Sequence, residues 1–345
     1  MKDYTVIVVA VISFAITALL GFFVIPYLRK LKFGQTILEE GPKWHKDKQG
    51  TPTMGGIMIV VGVVLSMALG YTYSYLTKGY YASEMKSPYN LTILLAGIVM
   101  ALCMCAIGFF DDYIKVVKKR NLGLTAKQKT FLQLLVCATY LITLAIAGVR
   151  TTYIPFIGYI DIVHGAGLLF WPIALMFIYG FTNAVNLTDG LDGLASSVTL
   201  VVSCAFMLAS SWMLSKHDDT AAVNCLSAAL AGACSGFLIW NTKPAKVFMG
   251  DTGSMFLGGM VVALSFGIGR PILLLLIGCV YLIEALSVVL QVFWFKRTGK
   301  RIFKMSPLHH HFELKGFSEQ KVVLLFSFVA LVGCSIALLS IFLNW

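Results

Sequence analysis

Asp111 and Asp112 stand side by side where the apolar run Ile107-Gly108-Phe109-Phe110 gives out. Carboxylates at that place are suited to holding a hard cation or to charging a reacting group. Adjacent positions on a helix diverge by about 100°, so the two are expected to play separate roles. The plain alternative is an acidic helix end paired with Lys115 or Lys118, although acids at a helix C-terminus oppose its dipole. A second cluster, Asn183-Ala184-Val185-Asn186-Leu187-Thr188-Asp189-Gly190-Leu191-Asp192-Gly193, carries no basic residue. If helical, Asn186, Asp189 and Asp192 fall within an arc of about 120° and offer one polar face to nucleoside hydroxyls or a hydrated cation. Gly190 and Gly193 equally permit a tight turn in which the acids only cap.

A third cluster runs from Asn241 to Ser254, with Lys243, Lys246, Phe248, Gly250, Asp251 and Gly253. Glycines allow close backbone approach, lysines supply charge, and an apolar run follows, so backbone amides can meet a phosphate at a helix start. The order of Gly and Lys is not that of a Walker loop. Phe248 can stack on a base or anchor at the membrane interface, and Asp251 can be a ligand or an N-cap. Pro307 to Glu313 contains three consecutive histidines, His309, His310 and His311. Regular structure cannot bring all three to one metal, so a metal site is the poorer reading; imidazoles donate well to phosphate oxygens near neutral pH, and a plain interfacial loop is the remaining alternative. Lys46 and Lys48 precede the turn Gly50-Thr51-Pro52-Thr53-Met54-Gly55-Gly56, a weaker phosphate-binding candidate, since the basic excess of a cytoplasmic face explains the lysines equally well. Acids for Mg²⁺, amide and hydroxyl donors, lysines and histidines together suit phosphoryl transfer, where the protein positions reactants and neutralises charge.

These clusters need elements to hold them, and those elements are membrane spans. Of 345 residues 58% are hydrophobic and only 12% charged, far too apolar for a water-facing surface. Apolar runs near the roughly 20 residues that cross hydrocarbon begin at about Tyr4, Met54, Tyr89, Thr130, Gly165, Leu194, Ala221, Asp251, Pro271 and Val322. The expectation is an all-α polytopic membrane protein of about ten transmembrane helices, a single domain over residues 1–345. Tyr4 to Leu28 is too long for a signal-peptide core and reads as a retained first span. In this threading one face carries 21 of the 27 Lys and Arg; that excess marks the cytoplasmic side and places both termini outside. Every cluster above lies on this basic face. The opposite loops, with Asp161, His164, Asp218 and Asp219, read as solvated connections. The net charge of +11 sits in short tracts between spans and lines no amphipathic face, which excludes nucleic acid. Glu284 lies near the middle of the ninth run, where a carboxylate is costly, so that span is expected to face protein or to bend. The eight cysteines lie in or beside apolar runs and read as small buried side chains. A transporter also has many spans and buried acids, but its site tends to lie at midplane between repeated halves, and no repeat is visible.

The ordered set GTPTMGG from Gly50, GFFDDY from Gly108, NAVNLTDGLDG from Asn183, Asn241 to Ser254 and PLHHHFE from Pro307 resembles the polyprenyl-phosphate N-acetylhexosamine 1-phosphate transferases. The unbroken triple histidine is similar to the phospho-N-acetylmuramoyl-pentapeptide branch of that superfamily, and the match covers nearly the whole chain. The resemblance implies transfer of phospho-MurNAc-pentapeptide from UDP-MurNAc-pentapeptide to undecaprenyl phosphate, giving lipid I and UMP with Mg²⁺, by a homodimer in the bacterial cell membrane. Relatives using other UDP-sugars are the nearest alternative. It also implies catalytic roles for Asp111, Asp112, Asp251, His309 and His310, with Asp251 as the Mg²⁺ ligand. Thr53, Asn186, Asp189, Asp192, Asn241 and Phe248 would bind substrate, the last five on the uridine side. Lys48, Lys115, Lys127, His309 and His310 would surround the diphosphate or neighbouring substrate groups, and His311 would also bind substrate. Whether the transfer is one displacement or passes through an aspartyl intermediate stays open in the sequence.

Overall fold

The computed structural model describes residues 3–31, 50–117, 122–216 and 218–343. Among them nine helices are long and apolar enough to cross a membrane. They are α1 (Thr5–Lys30), α2 (Ile57–Thr77), α4 (Pro88–Val117), α5 (Ala126–Ala147), α6 (Phe170–Thr188, entered through a 3-10 turn from Gly165), α7 (Leu194–Ser215), α8 (Ala221–Asn241), α11 (Cys279–Thr298) and α13 (Glu319–Phe342). Short helices α3 (Tyr80–Glu84), α10 (Leu274–Ile277) and α12 (Leu308–Glu313) join them. The chain is therefore an all-α polytopic membrane protein.

The run from Asp251 forms α9 (Gly250–Gly267), at the centre of the bundle. Its opening turn holds Asp251, Thr252 and Ser254, and every residue from Thr252 to Ser265 is buried. Lipid meets the outer helices instead: Ile7, Phe22 and Phe23 on α1 and Leu324 and Phe328 on α13 are widely exposed, as expected where the solvent is hydrocarbon.

Small residues set how closely α9 is approached, because helix association in lipid depends on packing and not on water exclusion. Ala101 opposes Gly259, Ala263 opposes Gly97, and a Cβ on Gly108 would lie only 2.1 Å from the Asp251 carbonyl oxygen. The two helices thus run antiparallel, and the C-terminal end of α4 meets the N-terminal end of α9. Gly258 likewise admits Thr182 of α6. Gly56 and Gly253 touch through their α carbons, bringing the Gly50–Gly56 segment onto the start of α9.

Two stretches have more structure than a plain span and a plain loop. The run from Pro271 is not one span: it makes a 3-10 turn over Pro271–Leu273, the short α10, and then a new helix after Gly278. The missing side chain of Gly278 lets the Leu274 carbonyl and the Phe181 ring close in, and the bend turns Glu284 of α11 inward, where it is fully buried. The connection after α5 is more than a solvated loop. It forms an antiparallel hairpin, β1 (Thr151–Ile154) and β2 (Gly158–Asp161), with Thr151 opposite Asp161.

Candidate active site

The α4–α9 contact gathers the acids. Ligand oxygens of Asp111, Asp112 and Asp251 all lie within 4.8 Å of one another, although Asp251 is far from the pair along the chain. The adjacent pair divides its work as the helical angle requires. Asp111 accepts from the Leu124 amide at 2.9 Å and pairs with Lys115 one turn on at 2.6 Å. Asp112 turns toward α9 and accepts from the Thr252 amide and hydroxyl at 2.9 and 2.8 Å. Asp251 does not cap its own helix, whose N-cap is Met249 without a side-chain bond. Its Oδ2 instead receives Lys115 at 3.2 Å and Lys129 at 2.7 Å, and its Oδ1 accepts from Asn186 at 3.1 Å. Asn186 also donates to Ser254 Oγ at 2.9 Å, which locks α6 to α9.

A carboxylate-oxygen donor set suits a hard divalent cation such as Mg²⁺. Bonds of about 2.1 Å put opposite ligands about 4.2 Å apart, so a 4.8 Å cluster closes around such an ion with small side-chain movements. The residues present fit the ion, and the two ammonium groups add positive charge beside it.

The lysine that reaches Asp251 from α5 is Lys129, a residue the sequence reading did not single out. Thr125 and Gln128 form a capping box that starts α5, and this fixes the phase of the helix. Lys127 then faces outward and is exposed, whereas Lys129 turns toward Asp251. The sequence does carry a signal for this phase in Gln133, a lone amide one turn beyond Lys129 in an apolar run. It is buried and exchanges two 3.2 Å hydrogen bonds with Asn183.

The helical face of Asn186, Asp189 and Asp192 does not form. Helix α6 ends at Thr188, and Gly193 adopts φ +79°, the tight-turn alternative. Asp189 stays half-buried beside the cluster. Burial and the charges of Asp251, Asp112 and Asp192 push its carboxyl well above the ordinary carboxylate range. Asp192 accepts from the Ala245 amide at 3.1 Å. Asn241 binds the Gly193 amide and the Val247 carbonyl, both at 3.0 Å. These two residues clasp the two loops together, so their polar atoms organise the site's wall. Phe248 is half-buried, with its backbone paired to Pro52 and Gly55. Thr53 is buried beside Gly250, whose φ of +72° and missing side chain leave room for Thr53 Oγ1 and Asp112 Oδ2.

The histidines sit on a helical turn, not in a loop. Each points elsewhere. His309 is 1% exposed, and its Nδ1 lies 3.1 Å from Glu284, whose other oxygen accepts the His309 amide. Its Nε2 approaches the bare α carbon of Gly190, where a Cβ would lie 2.1 Å away. The His310 ring lies tilted beside that of His309, with centres 4.2 Å apart, and its Nδ1 is 2.8 Å from Glu313. His311 accepts from the Lys304 amide at 3.1 Å on the far side of the turn. Burial, with Lys315 and Lys304 close by, lowers its pKa below the ordinary histidine value. Glu284 therefore has a definite part: it seats the histidine turn against the Asp189–Gly193 loop. Lys48 lies outside the described residues.

The family described as "Glycosyl transferase family 4" matches residues 92–268, which takes in Asp111, Asp112, Asn186, Asn241 and Asp251. The pattern described as "Phospho-N-acetylmuramoyl-pentapeptide-transferase signature 1" matches residues 48–60. Curated proteins named phospho-N-acetylmuramoyl-pentapeptide-transferase align end to end. The one from Heliobacterium modesticaldum is 46% identical over 95% of both chains. That from Halalkalibacterium halodurans is 43% identical over 100% of this chain and 99% of its own. The Bacillus subtilis protein is 44% identical over 94% of each. The chain belongs to the phospho-N-acetylmuramoyl-pentapeptide-transferase family. It is thus a phosphoglycosyl transferase, an enzyme whose chemistry requires the charge of a diphosphate to be managed.

Proposed function

We propose that this transferase moves phospho-MurNAc-pentapeptide from UDP-MurNAc-pentapeptide to undecaprenyl phosphate at the Asp111–Asp112–Asp251 cluster, yielding lipid I and UMP. The observation that carries the reading is the convergence of three carboxylates and two lysines at one end of α4, α5 and α9. Bound there by Asp251 with Asp111 and Asp112, Mg²⁺ would neutralise charge on the diphosphate as the bridging bond breaks.

In a single displacement, an oxygen of the lipid phosphate bonds to the donor's β-phosphorus while the bond from that phosphorus to the bridging oxygen breaks, and UMP leaves with the electron pair. A phosphate monoester has its second pKa near 6, so the attacking oxygen is already anionic at neutral pH and no base is needed. Asp112 is committed to Thr252, and Asp111 to Lys115 and the Leu124 amide. That favours roles in positioning over nucleophilic attack. Lys115 and Lys129 balance the donor's charge, Asn186 holds Asp251 in register, and His310 at the site's edge donates to phosphate oxygens. Turnover of radiolabelled UDP-MurNAc-pentapeptide into butanol-extractable lipid, with and without Mg²⁺, tests the reading; label that stays in the aqueous phase with folded protein refutes it.

The excess of Lys and Arg on the cluster's face supports a cytoplasmic site with both termini outside. A cysteine at position 300 should react with a membrane-impermeant reagent only in opened cells, and one at 86 or 216 in intact cells. Family membership also supports a homodimer, which crosslinking in native membranes checks.

A further inference from the structure

At the other end of the bundle lies a cavity of about 340 Å³ that none of the chemistry above uses. It adjoins the C-terminal end of α9, and the 18 residues of that helix set it about 27 Å from the aspartates. Its base holds Arg270, only 7% exposed, with Nε and Nη1 buried and without hydrogen-bond partners. The guanidinium lies over the Tyr153 ring, 4.0 Å from its centre, and no carboxylate among the described residues forms an ion pair with it. Burying a guanidinium without a counter-charge is costly, so an anion in this cavity is strongly favoured.

The rest of the wall specifies what carries that anion. Asp218 and Asp219 line the cavity and are exposed, with Asn90 holding Asp219 at 3.4 Å. Glu84 also lines it, but its carboxylate caps the start of α8 through the Ala221 and Ala222 amides, which removes that helix end as an anion site. A simple anion meets repulsion at this acidic mouth, and a simple cation leaves Arg270 unpaired. A zwitterion satisfies both. Phe266 supplies an apolar wall, and the neighbouring hairpin tip exposes Phe156 by 82% and Ile157 by 70%. Tyr159 of the same hairpin lines the cavity and is 70% exposed, and tyrosine rings seat at the headgroup level of a bilayer. We infer that this cavity binds the headgroup of a zwitterionic phosphoethanolamine lipid, phosphate toward Arg270 and ammonium toward Asp218 and Asp219.

The test uses the full chain in detergent with dioctanoyl phosphatidylethanolamine, dioctanoyl phosphatidylglycerol and water-soluble O-phosphoethanolamine, read by native mass spectrometry and by melting temperature. The ethanolamine lipid should give a saturable adduct and raise the melting temperature, with the glycerol lipid binding at least tenfold more weakly. Arg270→Gln should weaken the ethanolamine lipid at least tenfold, and Asp218→Asn with Asp219→Asn should erase its advantage over the glycerol lipid. Competition by O-phosphoethanolamine alone would support recognition of the headgroup and show that a soluble zwitterion also enters. Equal binding of the two lipids by wild type, or unchanged binding by Arg270→Gln, overturns the inference. Should Arg270→Gln fail to fold, the double variant at the exposed mouth decides the matter by itself: an undiminished preference for ethanolamine refutes the inference.

Discussion

Replacing Asp251 by Asn keeps the size of the side chain and removes one negative charge from the centre of the site. Its Oδ2 takes two ammonium groups, at 3.2 and 2.7 Å, and its Oδ1 takes Asn186 at 3.1 Å. Each charge-assisted bond is worth about 1.5–3 kcal/mol, but the substitution also leaves two carboxylates facing two lysines where three stood. These effects oppose one another, so folded stability should change by no more than about 1 kcal/mol. The transition state has no such compensation, because an anionic ligand is missing from the Mg²⁺ site just when charge shifts onto the leaving phosphate. A loss on the order of 3 kcal/mol, roughly 100-fold in rate, is expected. The assay is a Mg²⁺ titration of lipid-product formation by wild type and Asp251→Asn at matched folded concentration. The variant's curve should be low and shifted to higher Mg²⁺. Parallel curves of equal height would remove Asp251 from the metal site and leave Asp111 and Asp112 as the candidates.

Gly108→Ala should slow turnover about 100-fold in protein that still assembles in the membrane, since its Cβ would sit 2.1 Å from the Asp251 carbonyl oxygen and misplacement by about 1 Å costs that much; wild-type kinetics would show that α4 and α9 tolerate separation. Lys129→Met should cut turnover while Lys127→Met leaves it near wild type, and the reverse order would discredit the helix phase set by the Thr125 capping box. Glu284→Ala leaves His309 buried without its partner and should destabilise the fold by about 3 kcal/mol, with Glu284→Gln recovering much of it in thermal melts. His311 titrates below its unfolded value near 6.5. The unfolded chain therefore binds more protons just below that value, and the contribution to stability grows as pH rises toward 6.5 and is lost as pH falls; His311→Gln should flatten the dependence of melting temperature on pH just below about 6.5, and an unchanged slope would contradict this.

Much of the protein was legible in the chain itself. Hydrocarbon demands long uncharged helices, so composition and run length revealed an all-α membrane protein and the approximate start of most spans. The ordered motifs carried the family. Asp111, Asp112 and Asp251 stood out because each lies where an apolar run meets an ordered polar motif. What the chain could not show depended on helix phase and on contacts between residues far apart. Lys127 and Lys129 are indistinguishable as lysines of one basic tract, and only the capped start of α5 and its packing against α6 turn Lys129 inward. Asn186, Asp189 and Asp192 are spaced for one helical face, yet α6 stops at Thr188 and the residues part company, since Asn241 and the Ala245 amide draw the following loop toward α8. Glu284 is an unexplained charge in an apolar run until the break at Gly278 aims it at His309, 25 residues later. Periodicity and residue type are local and survive in one dimension, whereas which oxygen meets which ammonium is fixed by small residues at helix crossings, where a single methyl group at Gly108, Gly190 or Gly259 would open the site.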